Sequence, residues 1–142
     1  MKNMPTLTDI LKKFDCQTGT LHALDPSTQH LRLLAQQGVP DFLLDKIDHI
    51  PIGKGIAGCA AERADAVQMC NLQTDTSGVA RPDAKQTKVE GALAVPIFDS
   101  HKKVVGVLGV GKIQPYEFSD AEISALREIA DSLAPTLSPP PA

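Results

Sequence analysis

The stretch EGALAVPIFDSHKKVVGVLGVGK, residues 90–112, decides the fold of this chain. Two apolar runs, 92–98 and 104–110, flank the polar residues 99–103. Both runs are rich in Val, Ile and Leu and end at turn-forming residues, which is typical of the two strands of a β-hairpin. Each run is almost continuously apolar, a pattern typical of strands that are buried on both faces. The sequence therefore predicts a hairpin at the centre of a sheet that is covered above and below.

Glycines interrupt the second of these runs, at Gly106, Gly109 and Gly111. Glycine weakens a strand and often marks a position where another group approaches the backbone closely. We expect that group to be either a helix or a ligand, and the sequence does not decide between them.

Length and composition are those of a single globular domain. The chain has 142 residues, of which 42% are hydrophobic and 22% are charged, and its formal net charge is −3. A chain of this size can bury one core, so we assign residues 1–134 to one domain and 135–142 to a disordered Pro-rich tail. The sequence has no basic run, which argues against a nucleic-acid partner because phosphate binding needs clustered Lys or Arg.

Three further features of the sequence bear on localisation. No apolar stretch approaches the length of a membrane span, and the N-terminal segment carries charges where a signal peptide has its apolar core. Cys16, Cys59 and Cys70 are an odd number of cysteines at no metal-ligand spacing, so we expect free thiols in a reducing compartment. We therefore expect a cytoplasmic protein that makes no membrane contact.

Periodicity and turn residues predict the other elements of the chain. In chain order these are an amphipathic helix from residue 7, strands at 18–24 and 31–36, a short helix after Pro40, an extended piece at 50–52, a helix at 56–63, a strand at 66–70 and a long polar loop at 71–89. The closing helix has the clearest start, because Ser119 and Glu122 have the spacing of a capping box. We expect Pro135 to end that helix.

Three segments carry a resemblance to a known family: IPIGKGIAGCAAERADAVQMCN at 50–71, EGALAVPIFDSHKKVVGVLGV at 90–110 and FSDAEISALREIADSLA at 118–134. In this order and spacing they resemble the GAF domain, a small-molecule sensor module related to PAS domains. The resemblance implies an α+β fold with a central antiparallel sheet of about five to six strands. It also implies terminal helices on one face of the sheet, and a pocket with a short helix and a long loop on the other.

The segment GKGIAG, residues 53–58, fits Gly-x-Gly-x-x-Gly by letter. A dinucleotide fingerprint of this kind follows a full strand and opens a βαβ unit. The extended piece before it has only three residues and contains Pro51, so we interpret the segment as a tight turn that leads into a packed helix.

Candidate ligand-binding residues come from the predicted strands and the long loop. His22 alternates with Leu21 and Ala23, so it points to the opposite face, where it could bond an anionic or amide ligand or ligate haem; the alternative is a half-buried structural histidine. Arg81 is the best candidate for binding a carboxylate or phosphate, because its planar guanidinium group can donate two parallel hydrogen bonds to such a group. The full set of candidates is His22, Cys59, Cys70, Asn71, Arg81 and Ala94.

Three functions remain open at this point. The first is a ligand-binding sensor that acts through a separate signalling protein or as a homodimer. The second, implied by one subgroup of the family, is a thiol-dependent reductase of free methionine sulfoxide that uses Cys59 and Cys70. That subgroup has a cysteine inside its "GkGvCG" segment, where this chain has Ala57. The third is a ligand-free dimerisation scaffold. We assign no catalytic residue and no metal site, and the sequence identifies no cofactor.

The first and last helices offer candidate contacts for a homodimer. In the family, helices at these positions often pack against the same helices of a partner copy. Leu7, Leu11, Leu126 and Leu133 would then lie at the interface. The alternative is that these leucines only cover the sheet of their own chain.

Overall fold

The strands form one antiparallel sheet and differ in length. A computed structural model describes residues 7–69 and 90–137 of the chain. Within these ranges six strands pair in the order β3-β2-β1-β6-β5-β4. They are β1 (Thr18–Asp25), β2 (His30–Gln37), β3 (His49–Pro51), β4 (Val67–Met69), β5 (Gly91–Phe98) and β6 (Val104–Lys112). Every pair of neighbouring strands is antiparallel.

Helices cover both faces of this sheet. They are α1 (Leu7–Phe14), a single 3-10 turn (Asp41–Leu43) that continues into α2 (Leu44–Ile47), α3 (Gly55–Arg63) and α4 (Asp120–Leu137). Helices α1 and α4 pack on one face, which we call the α4 face. Helix α3 packs on the other, which we call the α3 face. The predicted α+β architecture is therefore confirmed.

Both strands of the β5–β6 hairpin are internal strands of the sheet, as expected from their apolar sequence, and β6 is one of the two middle strands. β6 pairs with β1 on one side and with β5 on the other, and β5 pairs in turn with the short strand β4. Residues 91–97 of β5 are all buried. Leu93 and Val95 contribute to the core on the α4 face, whereas Ala94, between them, contributes to the core on the α3 face. A strand buried on both faces needs apolar side chains at every position, which explains the absence of alternation.

The core on the α4 face is the larger of the two. It joins α1 and α4 to the large side chains of β5 and β6. Its most deeply buried large side chains, each at most 3% exposed, are those of Ile10, Leu11, Leu93, Val95, Ile97, Leu108, Phe118 and Leu126. Leu11, Leu126 and Leu133 are at most 5% exposed, so these side chains cover the sheet of their own chain.

A buried lysine fixes the end of α1 against the sheet. Lys112, at the end of β6, is 4% exposed, and its Nζ donates hydrogen bonds to the carbonyl oxygens of Phe14 at 2.7 Å and Asp15 at 2.9 Å. The same Nζ lies 4.4 Å from the ring centroid of Tyr116. The last carbonyls of a helix have no partner within the helix, and a cation there is also favoured by the helix dipole. Lys112 therefore both caps α1 and ties it to β6.

The predicted capping box of the closing helix is present. The Ser119 hydroxyl accepts a hydrogen bond from the Glu122 amide at 3.1 Å, and the Ser119 amide donates to Glu122 Oε1 at 2.9 Å. The Tyr116 hydroxyl also donates to Glu122, at 2.7 Å. These hydrogen bonds hold the pKa of the Glu122 carboxyl below its usual value, the Ser119 amide having the largest effect.

Pro135 does not end α4 as we expected from the sequence. The helix runs two residues further, to Leu137. Proline removes one helical hydrogen bond and normally interrupts a helix. Here the last turn is held by other contacts: the Thr136 hydroxyl donates to the Leu133 carbonyl at 2.6 Å, and Leu137 packs against the core on the α4 face. The domain boundary that we placed at residue 134 therefore falls inside this helix.

Candidate functional site

His22 is a buried polar side chain on the α3 face. It lies on β1 between Leu33 of β2 and Val107 of β6. Val107 belongs to the core on the α3 face, whereas Leu21 packs with the core on the α4 face. This alternation agrees with the prediction that His22 points away from Leu21. The side chain is 1% exposed, so its interactions must be made inside the protein.

One ring nitrogen of His22 is bonded and the other is not. Nε2 lies 2.9 Å from the carbonyl oxygen of Ile47, at the end of α2. A carbonyl oxygen only accepts hydrogen bonds, so Nε2 carries the hydrogen. Nδ1 is buried and has no hydrogen-bond partner within residues 7–69 and 90–137. Burial lowers the pKa of His22, and the Ile47 carbonyl and the Asp48 carboxylate oppose this shift less strongly. The ring is therefore neutral, with a bare acceptor at Nδ1.

Cys59 and Ala94 lie together on the α3 face. Both belong to the core that α3 forms with the sheet. Cys59 is 8% exposed, and its thiol makes a long contact of 3.7 Å with the carbonyl oxygen of Gly53. Ala94 is 2% exposed and pairs with Gly109 of β6. Among apolar neighbours of this kind a cysteine acts as a small hydrophobic side chain.

The glycine-rich segment before α3 is a close-packed turn. The Gly53 amide donates to the Gly58 carbonyl at 2.9 Å, and the Lys54 amide donates to the Pro51 carbonyl at 3.1 Å. A side chain at position 58 would lie 2.6 Å from the Pro51 carbonyl oxygen. Both amides are already bonded within the chain, so they cannot cradle a phosphate in the way that a nucleotide-binding loop does. This geometry agrees with the interpretation of the segment as a tight turn.

The Cys16 thiol is a poor nucleophile in this structure. Cys16 and Cys59 are both free and buried. Burial raises the pKa of the Cys16 thiol to about 11, although the charge of Lys112 opposes the shift. A thiol attacks as its thiolate, so Cys16 is unreactive near neutral pH.

Three of the six candidate residues, Cys70, Asn71 and Arg81, lie outside the described residues. The other three, His22, Cys59 and Ala94, share the α3 face. Sequence reasoning missed the partner of His22, because the acceptor is the Ile47 main-chain carbonyl, which carries no side-chain signal. It also missed the role of Lys112. The one sequence signal for this role is that a charged residue follows directly after an apolar run.

Two classes of feature are absent from the described part of the chain. Residues 7–69 and 90–137 contain no group of three or more His, Cys, Asp or Glu side chains placed to hold a metal ion. No helix in these same ranges is both long enough and apolar enough to cross a membrane.

A comparison with protein families decides the identity of the fold. The family model of the GAF domain matches residues 4–138, which is nearly the whole chain. The chain belongs to the GAF family. A comparison with curated proteins finds no match.

Solved structures with the same fold include domains of a phosphotransferase and of a sensor histidine kinase protein, and a methionine sulfoxide reductase. The GAF domain of an Acinetobacter phosphoenolpyruvate-protein phosphotransferase is 21% identical, with a TM-score of 0.75 over 92% of this chain and 76% of that chain. The free methionine-R-sulfoxide reductase of Neisseria meningitidis, in complex with its substrate, is 20% identical, with a TM-score of 0.75 over 94% of this chain and 74% of that chain. A domain of a two-component sensor histidine kinase protein from Sinorhizobium meliloti is 15% identical, with a TM-score of 0.70 over 92% of this chain and 84% of that chain. At sequence identities of 15–21%, this structural similarity shows a shared fold alone.

Proposed function

We propose that this GAF domain is a regulatory module that binds a small molecule on its α3 face, next to His22. The observation that carries the proposal is the His22 ring, which is 1% exposed and has one unbonded nitrogen. Buried polar groups are nearly always hydrogen-bonded. A buried acceptor without a partner in the described chain is therefore a natural point of contact for a ligand.

The described site is better suited to binding than to thiol chemistry. Cys59 is packed in an apolar core, and the neutral His22 ring makes its one described hydrogen bond to a main-chain carbonyl. The likeness to domains of a phosphotransferase and of a sensor histidine kinase protein also supports a regulatory role. Such a ligand acts only if it binds one conformational state more tightly than the other. We infer that this change is passed on to a separate protein or to a second copy of the chain, in the cytoplasm.

A second candidate is a reductase of free methionine sulfoxide. It is favoured by the structural likeness to the Neisseria meningitidis enzyme and by the position of Cys59 on the α3 face. It is opposed by Ala57, which stands where the "GkGvCG" segment of that subgroup has its cysteine. The low exposure of Cys59 also opposes it.

The two candidates predict opposite results in one pair of assays. The first assay is native mass spectrometry of the purified chain, which detects a small molecule released on unfolding. The second incubates the chain with free methionine-R-sulfoxide and dithiothreitol, and quantifies the methionine formed. We expect a bound small molecule and no methionine above the blank without protein.

Cys59→Ser and Cys70→Ser are the matched variants for these assays. A regulatory module keeps its bound molecule in both variants, whereas a reductase loses turnover in at least one of them. Methionine formation that disappears in either variant would replace the regulatory proposal by the second candidate. A chain that carries nothing and forms no methionine would favour a ligand-free scaffold.

A further inference from the structure

We propose that His22 Nδ1 accepts a hydrogen bond from the ligand of this GAF domain. The group that the ligand presents there is an N–H or O–H donor, as in an amide, an amine or a hydroxyl, and not a carboxylate or phosphate oxygen. This inference rests on the proposed function, because it takes the α3 face to be the ligand-binding face.

The tautomer of His22 follows from its one described partner. Nε2 lies 2.9 Å from the carbonyl oxygen of Ile47. Because that oxygen only accepts, the single hydrogen of the neutral ring is on Nε2. Nδ1 then presents a lone pair and no hydrogen. A lone pair of this kind bonds an N–H or O–H group and is repelled by an oxyanion.

The charged groups near His22 favour the same class of ligand. His22 pairs with Leu33 of β2 and with Val107 of β6 in the sheet, and neither of these residues is charged. The charged side chain that acts on the ring from the α2 side is Asp48, which is negative. A carboxylate or phosphate placed at Nδ1 would meet a neutral acceptor and a nearby negative charge, whereas an amide or ammonium donor would be attracted.

Apolar side chains on the α3 face indicate the rest of the ligand. The core on the α3 face contains small and apolar side chains, among them Ala94, Val107 and Cys59. Ligand-binding sites are commonly apolar with a few polar groups that fix orientation. We therefore expect a ligand with an apolar body and a donor group directed at His22.

Nitrogen NMR of the full chain labelled with 15N-histidine tests the tautomer directly. We expect His22 to show a protonated Nε2 and a bare Nδ1 at pH 7. On acidification the ring should gain its second proton only below the ordinary pKa of histidine, because burial lowers the pKa of His22. Either a protonated Nδ1 or a positively charged ring at pH 7 would overturn the inference.

Three matched probes test the ligand chemistry: benzamide, N,N-dimethylbenzamide and benzoate. They share an aromatic body and a carbonyl or carboxylate group, but only benzamide has N–H donors. We expect benzamide to shift the Nδ1 resonance, and the other two to leave it unchanged. Equal shifts with all three probes would overturn the inference and leave the proposed function standing. If no probe moves either ring-nitrogen resonance of His22, the result counts against the proposed function itself.

Two substitutions separate the two nitrogens of the ring. His22→Gln places an amide donor near the position of Nε2, so it can keep the bond to Ile47, but it has no acceptor at the position of Nδ1. We expect this variant to bind benzamide about tenfold more weakly, because the complex loses one hydrogen bond. His22→Asn places its oxygen near the position of Nδ1 and should retain more of the affinity. Unchanged binding in a folded His22→Gln would overturn the inference, and the tautomer measurement on the unmodified chain decides it if neither variant folds.

Discussion

At the scale of single residues, close approach of neighbouring groups explains two of the three glycines in β6. A side chain at Gly106 would collide with the carbonyl oxygen of His22 on β1 and with Leu137 of α4. A side chain at Gly109 would lie 3.0 Å from the Thr20 hydroxyl, which belongs to a side chain that can rotate. Gly106 is therefore required by the main chain of β1, which cannot easily move, whereas the contact with Leu137 is made by the end of a flexible side chain.

The two glycines should respond very differently to the same substitution. We expect Gly106→Ala to lower the free energy of unfolding by about 2 kcal/mol or more, because overpacking a rigid site typically costs 1–3 kcal/mol. Gly109→Ala is the matched control on the same strand, and we expect it to cost less than about 1 kcal/mol. Urea denaturation followed by circular dichroism measures both values. Equal losses would contradict the close packing of α4 and β1 on Gly106.

At the scale of elements, the attachment of α1 combines apolar packing with the hydrogen bonds of one buried lysine. Helix α1 has eight residues, too few to be stable alone. Ile10, Leu11 and Phe14 bury one of its faces against the sheet, and Lys112 bonds its last carbonyls. The helix is thus held by apolar packing along its length and by hydrogen bonds at its C-terminal end.

We expect Lys112→Met to destabilise the protein by about 2–3 kcal/mol, because it leaves buried carbonyls without their charged donor. The control is Lys13→Met, which removes a positive charge from the last turn of α1 at an exposed position. Lys13→Met should lower the free energy of unfolding by only about 0.3–1 kcal/mol, because it removes a weak interaction with the helix dipole. Urea denaturation again gives both values. If the two variants are equally stable, the hydrogen bonds of Lys112 do not hold α1.

At the scale of the whole molecule, two cores of different size lie on the two faces of one sheet. The larger one closes the α4 face with large aliphatic and aromatic side chains. The smaller one joins α3 to the sheet through alanines, valines, a leucine and a cysteine. In the described ranges the larger core therefore lies on the α4 face, and the buried histidine lies on the α3 face.

The burial of the leucines on α4 bears on the expectation of a homodimer. Leu126 is 0% exposed, so we expect Leu126→Ala to lower the free energy of unfolding by about 2–5 kcal/mol. The neighbouring Glu128→Ala, at an exposed position of the same helix, should change it by less than about 0.5 kcal/mol. Sedimentation measurements should show the same oligomeric state for both variants. A change of oligomeric state without loss of stability in Leu126→Ala would contradict its place in the core.

Several parts of the fold could be predicted because their signals are local. The hairpin shows in two apolar runs, and the start of α4 shows in the spacing of Ser119 and Glu122. The end of α4 could not be predicted locally, because Leu137 is held by packing against the distant core on the α4 face. The face of His22 could be predicted from alternation along β1, but its partner could not, since Ile47 lies 25 positions away and contributes only its main chain.

The sequence by itself determined that the β5–β6 hairpin is buried on both faces, because an apolar run is a property of neighbouring residues. Three of its segments also resemble the GAF domain. Tertiary structure alone decided how distant groups meet. Lys112 reaches the carbonyl of Phe14 across 98 positions of the chain, and the Ile47 carbonyl selects the tautomer of His22. Both contacts use main-chain oxygens, which every residue carries, so only the folded backbone determines which oxygen lies within reach.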